Sequence, residues 1–226
     1  MNPYFQGELN DVRSKLVLMG EKSIEIVRLA LEALVTEETE LAKQVIEMDD
    51  EIDLLEKQID SDCIRYISLR APVASDLRLL AVSMKACHDL ERVGDEASSV
   101  SKRAIRLMRF GPINDLFGIK PMGDLVVKQL REALNSFINE DLKKAFQVPL
   151  KDRKVDDINR DNFQILTDMV KSNPNSVDQA FELIFISKSL ERIGDHATNI
   201  AEDVIFLLEG DDIRHTDVTK RSAEST

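Results

Sequence analysis

The sequence predicts an all-α protein: two tandem, duplicated antiparallel three-helix bundles, six helices in all. Three observations predict it. Glycine and proline are scarce, 8 and 6 in 226 residues, which argues against a turn-rich β protein and for long helices. Apolar residues recur at helical spacing through six long segments. The chain is also written twice. Leu90-Glu91-Arg92-Val93-Gly94-Asp95 returns as Leu190-Glu191-Arg192-Ile193-Gly194-Asp195, five identities in six at an offset of 100. Upstream, Ala42, Gln44, Val45, Asp49 and Asp53 return as Ala145, Gln147, Val148, Asp152 and Asp156 at an offset of 103. A period this long exceeds the roughly 20–50 residues of a solenoid unit.

Helices are expected near 8–36, 38–70 and 75–109, then near 120–138, 140–172 and 175–209. Met1–Gly7 holds Tyr4-Phe5-Gln6-Gly7, which resembles a protease-site remnant and is left out of the fold reasoning. Ala71-Pro72 parts the second helix from the third, because the residue before a proline is pushed out of the helical region. Gly111, Pro112, Gly118, Pro121 and Gly123 crowd into one stretch and mark the boundary between the halves. Asn173-Pro174-Asn175 parts the fifth helix from the sixth. Pro149 is expected to kink the fifth helix. The domains are therefore 8–110 and 118–210, and after Gly210 comes a polar tail, 211–226, expected to fray.

Charge and composition narrow the function. The formal net charge of −12 and a pI near 4.8 repel phosphate backbones, so nucleic acid is not expected as a partner. No segment has the roughly 18–20 apolar residues of a membrane span, and no basic stretch with an apolar core opens the chain. Cys63 and Cys87 alone make no disulfide framework and fit a reducing compartment; both are expected in the core. These features describe a soluble, acidic, cytoplasmic protein, peripheral to a membrane at most.

The acidic residues carry the chemistry. One heptad row of the third helix reads Leu77, Met84, Glu91, Ser98, Ile105, and the sixth helix answers with Val177, Ile184, Glu191, Thr198, Ile205. In both rows a glutamate sits among apolar neighbours, on the stripe expected to be buried. Asp95 and Asp195 follow one turn later. Facing pairs in an antiparallel hairpin share one midpoint. Asp53 with Glu91 and Asp49 with Asp95 are both centred on residue 72; Asp156 with Glu191 and Asp152 with Asp195 are centred between Asn173 and Pro174. Both midpoints fall on the turns already assigned. Each bundle should therefore hold four carboxylates at one level, on axes about 8–10 Å apart.

Four like charges need protons or a cation. Oxygen donors suit hard metals such as magnesium, manganese, calcium or iron. The plainer alternative, acidic residues paired with lysines and arginines on wet faces, is disfavoured by the matched heights in both halves. Each centre is expected to act independently, the linker separating two cores. His88 and His196 lie near the acidic rows, but no glutamate has a histidine three residues later, as di-iron bundles require. No phosphate-cradling loop, nucleophile elbow or triad signature is present.

With these residues the sequence resembles the PhoU family, over roughly Leu9 to His215. The likeness is strongest at Ser75-Asp76-Leu77-Arg78, Asp89–Ala97 and Leu190–Glu202, the last with Ile193-Gly194-Asp195-His196-Ala197 at its centre. It implies multinuclear metal clusters held by Asp49, Asp53, Glu91 and Asp95 in one bundle and by Asp152, Asp156, Glu191 and Asp195 in the other. The metal would be iron, manganese, magnesium or zinc. Asn199 would extend the second set, where the first has Ser99, a weaker ligand. The resemblance further implies a cytoplasmic, homodimeric negative regulator of phosphate uptake and phosphate-starvation signalling. Its partners would be the phosphate ABC transporter's ATPase and a sensor histidine kinase. The rival is a carboxylate-bridged metalloenzyme, an oxidase or phosphohydrolase, which would need an acid/base group beside an open metal position.

Overall fold

The computed structural model describes residues 3–113 and 115–210, with side chains from Gly7 onward. The tail expected at 211–226 lies outside the described residues. Six helices account for nearly all of the rest: α1 (Pro3–Thr36), α2 (Thr39–Arg70), α3 (Ala74–Leu107), α4 (Ile119–Asn139), α5 (Leu142–Ser172) and α6 (Val177–Glu209). Single 3₁₀ turns lie at Met108–Phe110 and Pro174–Ser176. No strand occurs among the described residues.

The helix ends follow local chemistry. The α1–α2 turn needs only Glu37 and Glu38, with Glu37 in the left-handed region (φ 57°). Ala71 closes α2 in the same region (φ 45°), a left-handed cap, and Pro72 bars the helix from continuing. Asp141 caps α5, its carboxylate accepting from the Lys144 backbone N–H at 3.0 Å. Gly210 ends α6 at φ 81°. One expectation changes here. The segment set aside at the N-terminus continues α1, which starts at Pro3, a residue suited to a first helical position. Pro149 lies inside α5, which runs through it.

Within each half every helix packs on the other two, α1–α3 and then α4–α6. The halves then lie side by side, α3 along α6 in the most extensive helix pair and α1 crossing α4. That crossing is close because it is built on glycine. A Cβ on Gly20 of α1 would stand 2.7 Å from Leu134 Cδ1 of α4, and one on Gly123 of α4 would stand 2.6 Å from Leu31 Cδ1 of α1. The idea of two cores kept apart by a linker is therefore corrected: the buried apolar cluster runs unbroken through all six helices. The reason is the width of the stripe on α3. Leu80, Val82, Ala86, Leu90, Val93, Ala97, Val100 and Ala104 are all buried, too broad a face for two partners alone to cover.

Candidate metal centres

In the first half Asp49 and Asp53 come from α2, and Glu91 and Asp95 from α3. Gly94 makes the approach possible, since a Cβ there would stand 2.5 Å from Asp49 Oδ1. The four carboxylates act on one another. Burial, then the charges of Asp95 and Asp53, push the Asp49 carboxyl up to about 6, against opposition from the Ser98 hydroxyl and Lys102. Burial and Asp95 push Glu91 up as well, against Arg92. Asp49 Oδ1 and Glu91 Oε2 are buried and accept no hydrogen bond. Buried acceptors left open beside like charges suit a cation.

The second half repeats the design with α5 and α6. A Cβ on Gly194 would stand 3.1 Å from Asp152 Oδ1. Burial, then Asp195 and Asp156, push Asp152 up to about 6; the Gln129 amide opposes. Burial, then Glu191 and Asp156, raise Asp195, opposed by Lys188 and His196. Gln129 enters from α4, 2% exposed, its Nε2 donating to Asp152 Oδ1 at 3.4 Å and its own Oε1 unpartnered.

The carboxylates do not lie in a dry core, as the heptad rows suggest, but at its edge. Asp49, Asp53, Glu91, Asp152, Asp156 and Glu191 are half-buried, while Asp95 and Asp195 are exposed. A strict seven-residue row drifts about 20° per heptad around a straight helix. At the other end of the same row Leu77 is already 45% exposed.

Rim cations meet each group. Arg92 Nη1 donates to Asp95 Oδ2 at 2.9 Å, and its Nε lies 3.2 Å from Glu91 Oε2. Lys188 Nζ donates to Glu191 Oε1 at 2.6 Å and also reaches Oε2. Both cations are about half exposed, so these ion pairs are weak and replaceable.

Asn199 is placed elsewhere than the resemblance implies. It is exposed, and its Nδ2 donates to Asp89 Oδ1 of α3 at 3.1 Å. His196 Nδ1 lies 2.7 Å from the same oxygen, and Arg192 Nη1 donates to Glu96 Oε1 at 3.0 Å. These three residues form a polar seam along the α3–α6 contact. Cys63 and Cys87 are buried with free thiols; burial, then Asp60, pushes Cys63 up to about 12 and raises Cys87 too. Such thiols stay protonated and inert.

Sequence reasoning passed over Gln129, Lys188, Glu56 and His88. Gln129 was signalled by a polar residue among buried Val126, Leu130 and Ala133. Glu56 and His88 are centred on residue 72, like the quartet pairs, and His88 Nδ1 lies 3.2 Å from Glu56 Oε1.

Comparisons with known proteins agree with this architecture. The family described as "PhoU domain" matches twice, over residues 16–104 and 119–204. A "Phosphate-specific transport system accessory protein PhoU homolog" of Pseudomonas aeruginosa is 40% identical over 221 residues, 97% of this chain and 91% of that protein. The homolog of Pseudomonas putida is 38% identical over 221 residues, 97% of this chain and 86% of that protein. The crystal structure of PhoU from P. aeruginosa superposes with a TM-score of 0.89 at 40% identity, covering 92% of this chain and all of the other (100%). The phosphate transport system regulatory protein PhoU from Streptococcus pneumoniae gives 0.85 at 27% identity, over 92% and 98% of the two chains.

Proposed function

The chain belongs to the PhoU family, and from that premise we propose that it is an accessory regulator of a phosphate-specific transport system. It restrains phosphate uptake and keeps phosphate-starvation signalling quiet when phosphate is plentiful. Its targets are the ATPase of the phosphate ABC transporter and the partner sensor histidine kinase, reached from the cytoplasmic face. It works as a binding protein and not as an enzyme.

The observation that carries this reading is the likeness over nearly the full chain to proteins named as accessory to phosphate transport. Two features support a protein that works by association. No described helix is long and apolar enough to cross a membrane. Phe163, Phe181 and Phe185 of α5 and α6 are 57%, 54% and 46% exposed, an apolar surface of the kind that marks an interface, including that of a homodimer.

The quartets fit a metal role within that function. Asp49, Asp53, Glu91 and Asp95 would hold one centre and Asp152, Asp156, Glu191 and Asp195 the other, with iron, manganese, magnesium or zinc as the ion. A bound cation supplies the charge that cancels their mutual repulsion and ties α2 to α3 and α5 to α6. The decisive experiment is a deletion strain assayed for phosphatase expression in high phosphate. Derepression that the intact gene reverses is the expected result. Unchanged repression, in a strain whose parent expresses the protein, overturns the proposal.

A further inference from the structure

The two halves differ one turn beyond the quartets, toward the inter-helix turns. In the first half that level holds Glu56 of α2 and His88 of α3; in the second it holds Asn159 of α5 and Lys188 of α6. Each pair shares the midpoint of its own hairpin, so the positions correspond. At Lys188 the second half carries a cation of its own, the ammonium seated on both oxygens of Glu191. At the matching place the first half has an imidazole and an additional carboxylate. One ligand atom each from Glu56, His88 and Glu91 lie within 4.8 Å of one another.

We propose that Glu56, His88 and Glu91 form an additional site for a divalent transition metal, adjoining the first quartet and sharing Glu91 with it. The structure supports this in three ways. The same location in the duplicated half accommodates a positive charge, so its shape and field suit a cation. Glu91 Oε2 is buried and makes no hydrogen bond, its ion pair with Arg92 Nε being 3.2 Å long, whereas both oxygens of Glu191 accept from the Lys188 ammonium. The donor set mixes nitrogen with oxygen, which selects zinc, cobalt, nickel or iron(II) over magnesium and calcium. Ligand atoms around such an ion stand about 3–3.5 Å apart, a small closing from the observed spread. The side chains allow it: His88 is 58% exposed and already reaches Glu56 through Nδ1 at 3.2 Å, while Glu56 and Glu91 are 21% and 14% exposed. Arg92 pairs with both Glu91 and Asp95 and is 48% exposed, so it can keep Asp95 while yielding Glu91 to an ion. Solvent remains to complete the coordination.

The proposal rests on the quartet reading only through the shared Glu91, and the test separates the two. Full-length protein stripped with a chelator is titrated with Co²⁺ alone, followed by visible absorption and calorimetry, with circular dichroism confirming the fold of each variant. Glu56→Gln with His88→Gln should weaken one Co²⁺ site by at least tenfold and remove its imidazole-dependent absorption, leaving the other sites as they are. Asp49→Asn with Asp53→Asn should spare that absorption. Grafting Asn159→Glu with Lys188→His into the second half should add one site of the same spectrum. If the Glu56/His88 variant titrates like the unmodified protein while the Asp49/Asp53 variant loses metal, the triad is overturned and the quartet reading stands. If the unmodified protein binds no Co²⁺, both fall.

Discussion

Gly94 is the only residue type that could face Asp49 as it does, because a Cβ would stand 2.5 Å from Oδ1, inside van der Waals contact. The equivalent distance at Gly194 and Asp152 is 3.1 Å. The glycine lets the α3 backbone close on α2 with the carboxylate between them.

Gly94→Ala should therefore push Asp49 away from Glu91 and Asp95. Stability is expected to drop by about 1–3 kcal/mol, the usual scale for overpacking a tight contact. Metal content should fall in the first half. Gly194→Ala should cost less, its neighbour needing to yield by only a few tenths of an ångström. Thermal unfolding and elemental analysis of both variants check the order.

The raised carboxyls give the metal-free protein an unusual pH dependence. Asp49 and Asp152 titrate near 6 when folded and near 3.8 when unfolded. Between those values the folded state holds more protons, so their contribution favours folding below about 4 and is lost as pH rises through 6. Asp49→Asn and Asp152→Asn should each flatten that decline, and each should raise the chelator-treated protein's melting temperature at pH 7. The same variants should bind metal more weakly. Melting curves between pH 4 and 7, with and without chelator, measure both effects.

Glu191→Gln with Asp195→Asn keeps size and helix propensity while removing two anionic ligands from the second quartet. Metal bound by the second half should be lost and that of the first retained, with helix content unchanged and the metal-linked stabilisation reduced. A variant that keeps its full metal complement contradicts the quartet assignment. One that loses all metal while folded shows the centres to be coupled, as the continuous core would permit.

The register of each hairpin was legible because Pro72 and Pro174 fix where the chain reverses, and two facing helices then have only one free alignment. That is how the Asp53–Glu91 and Asp156–Glu191 pairings were found. Gln129 obeys the same arithmetic, since it and Asp152 are centred on the two-residue turn Glu140-Asp141, but a neutral amide does not stand out in a pattern of acidic residues. His88 is set aside for a simpler reason: the di-iron pattern places histidine after glutamate, whereas here it precedes Glu91 by three residues, which is also within reach on a helix surface. Asn199 enters the second set only through the resemblance. An exposed position between two neighbours is assigned to α3 or to the quartet only by the packing of the halves, which no local period encodes.

The α1–α4 crossing has a consequence for how such a chain arises. Gly20 and Gly123 differ by 103 positions, and so do Leu31 and Leu134. Each glycine receives the leucine of the opposite half. A patch that accepts its own counterpart in this way is the hallmark of an isologous interface about a twofold axis. The two halves thus meet as the subunits of an isologous dimer do, and joining two copies of one repeat would yield such a chain without remaking the interface. Within one chain the two repeats need not stay identical. One turn beyond the quartets they differ: the second half has Asn159 and a Lys188 ammonium on Glu191, where the first has Glu56 and His88.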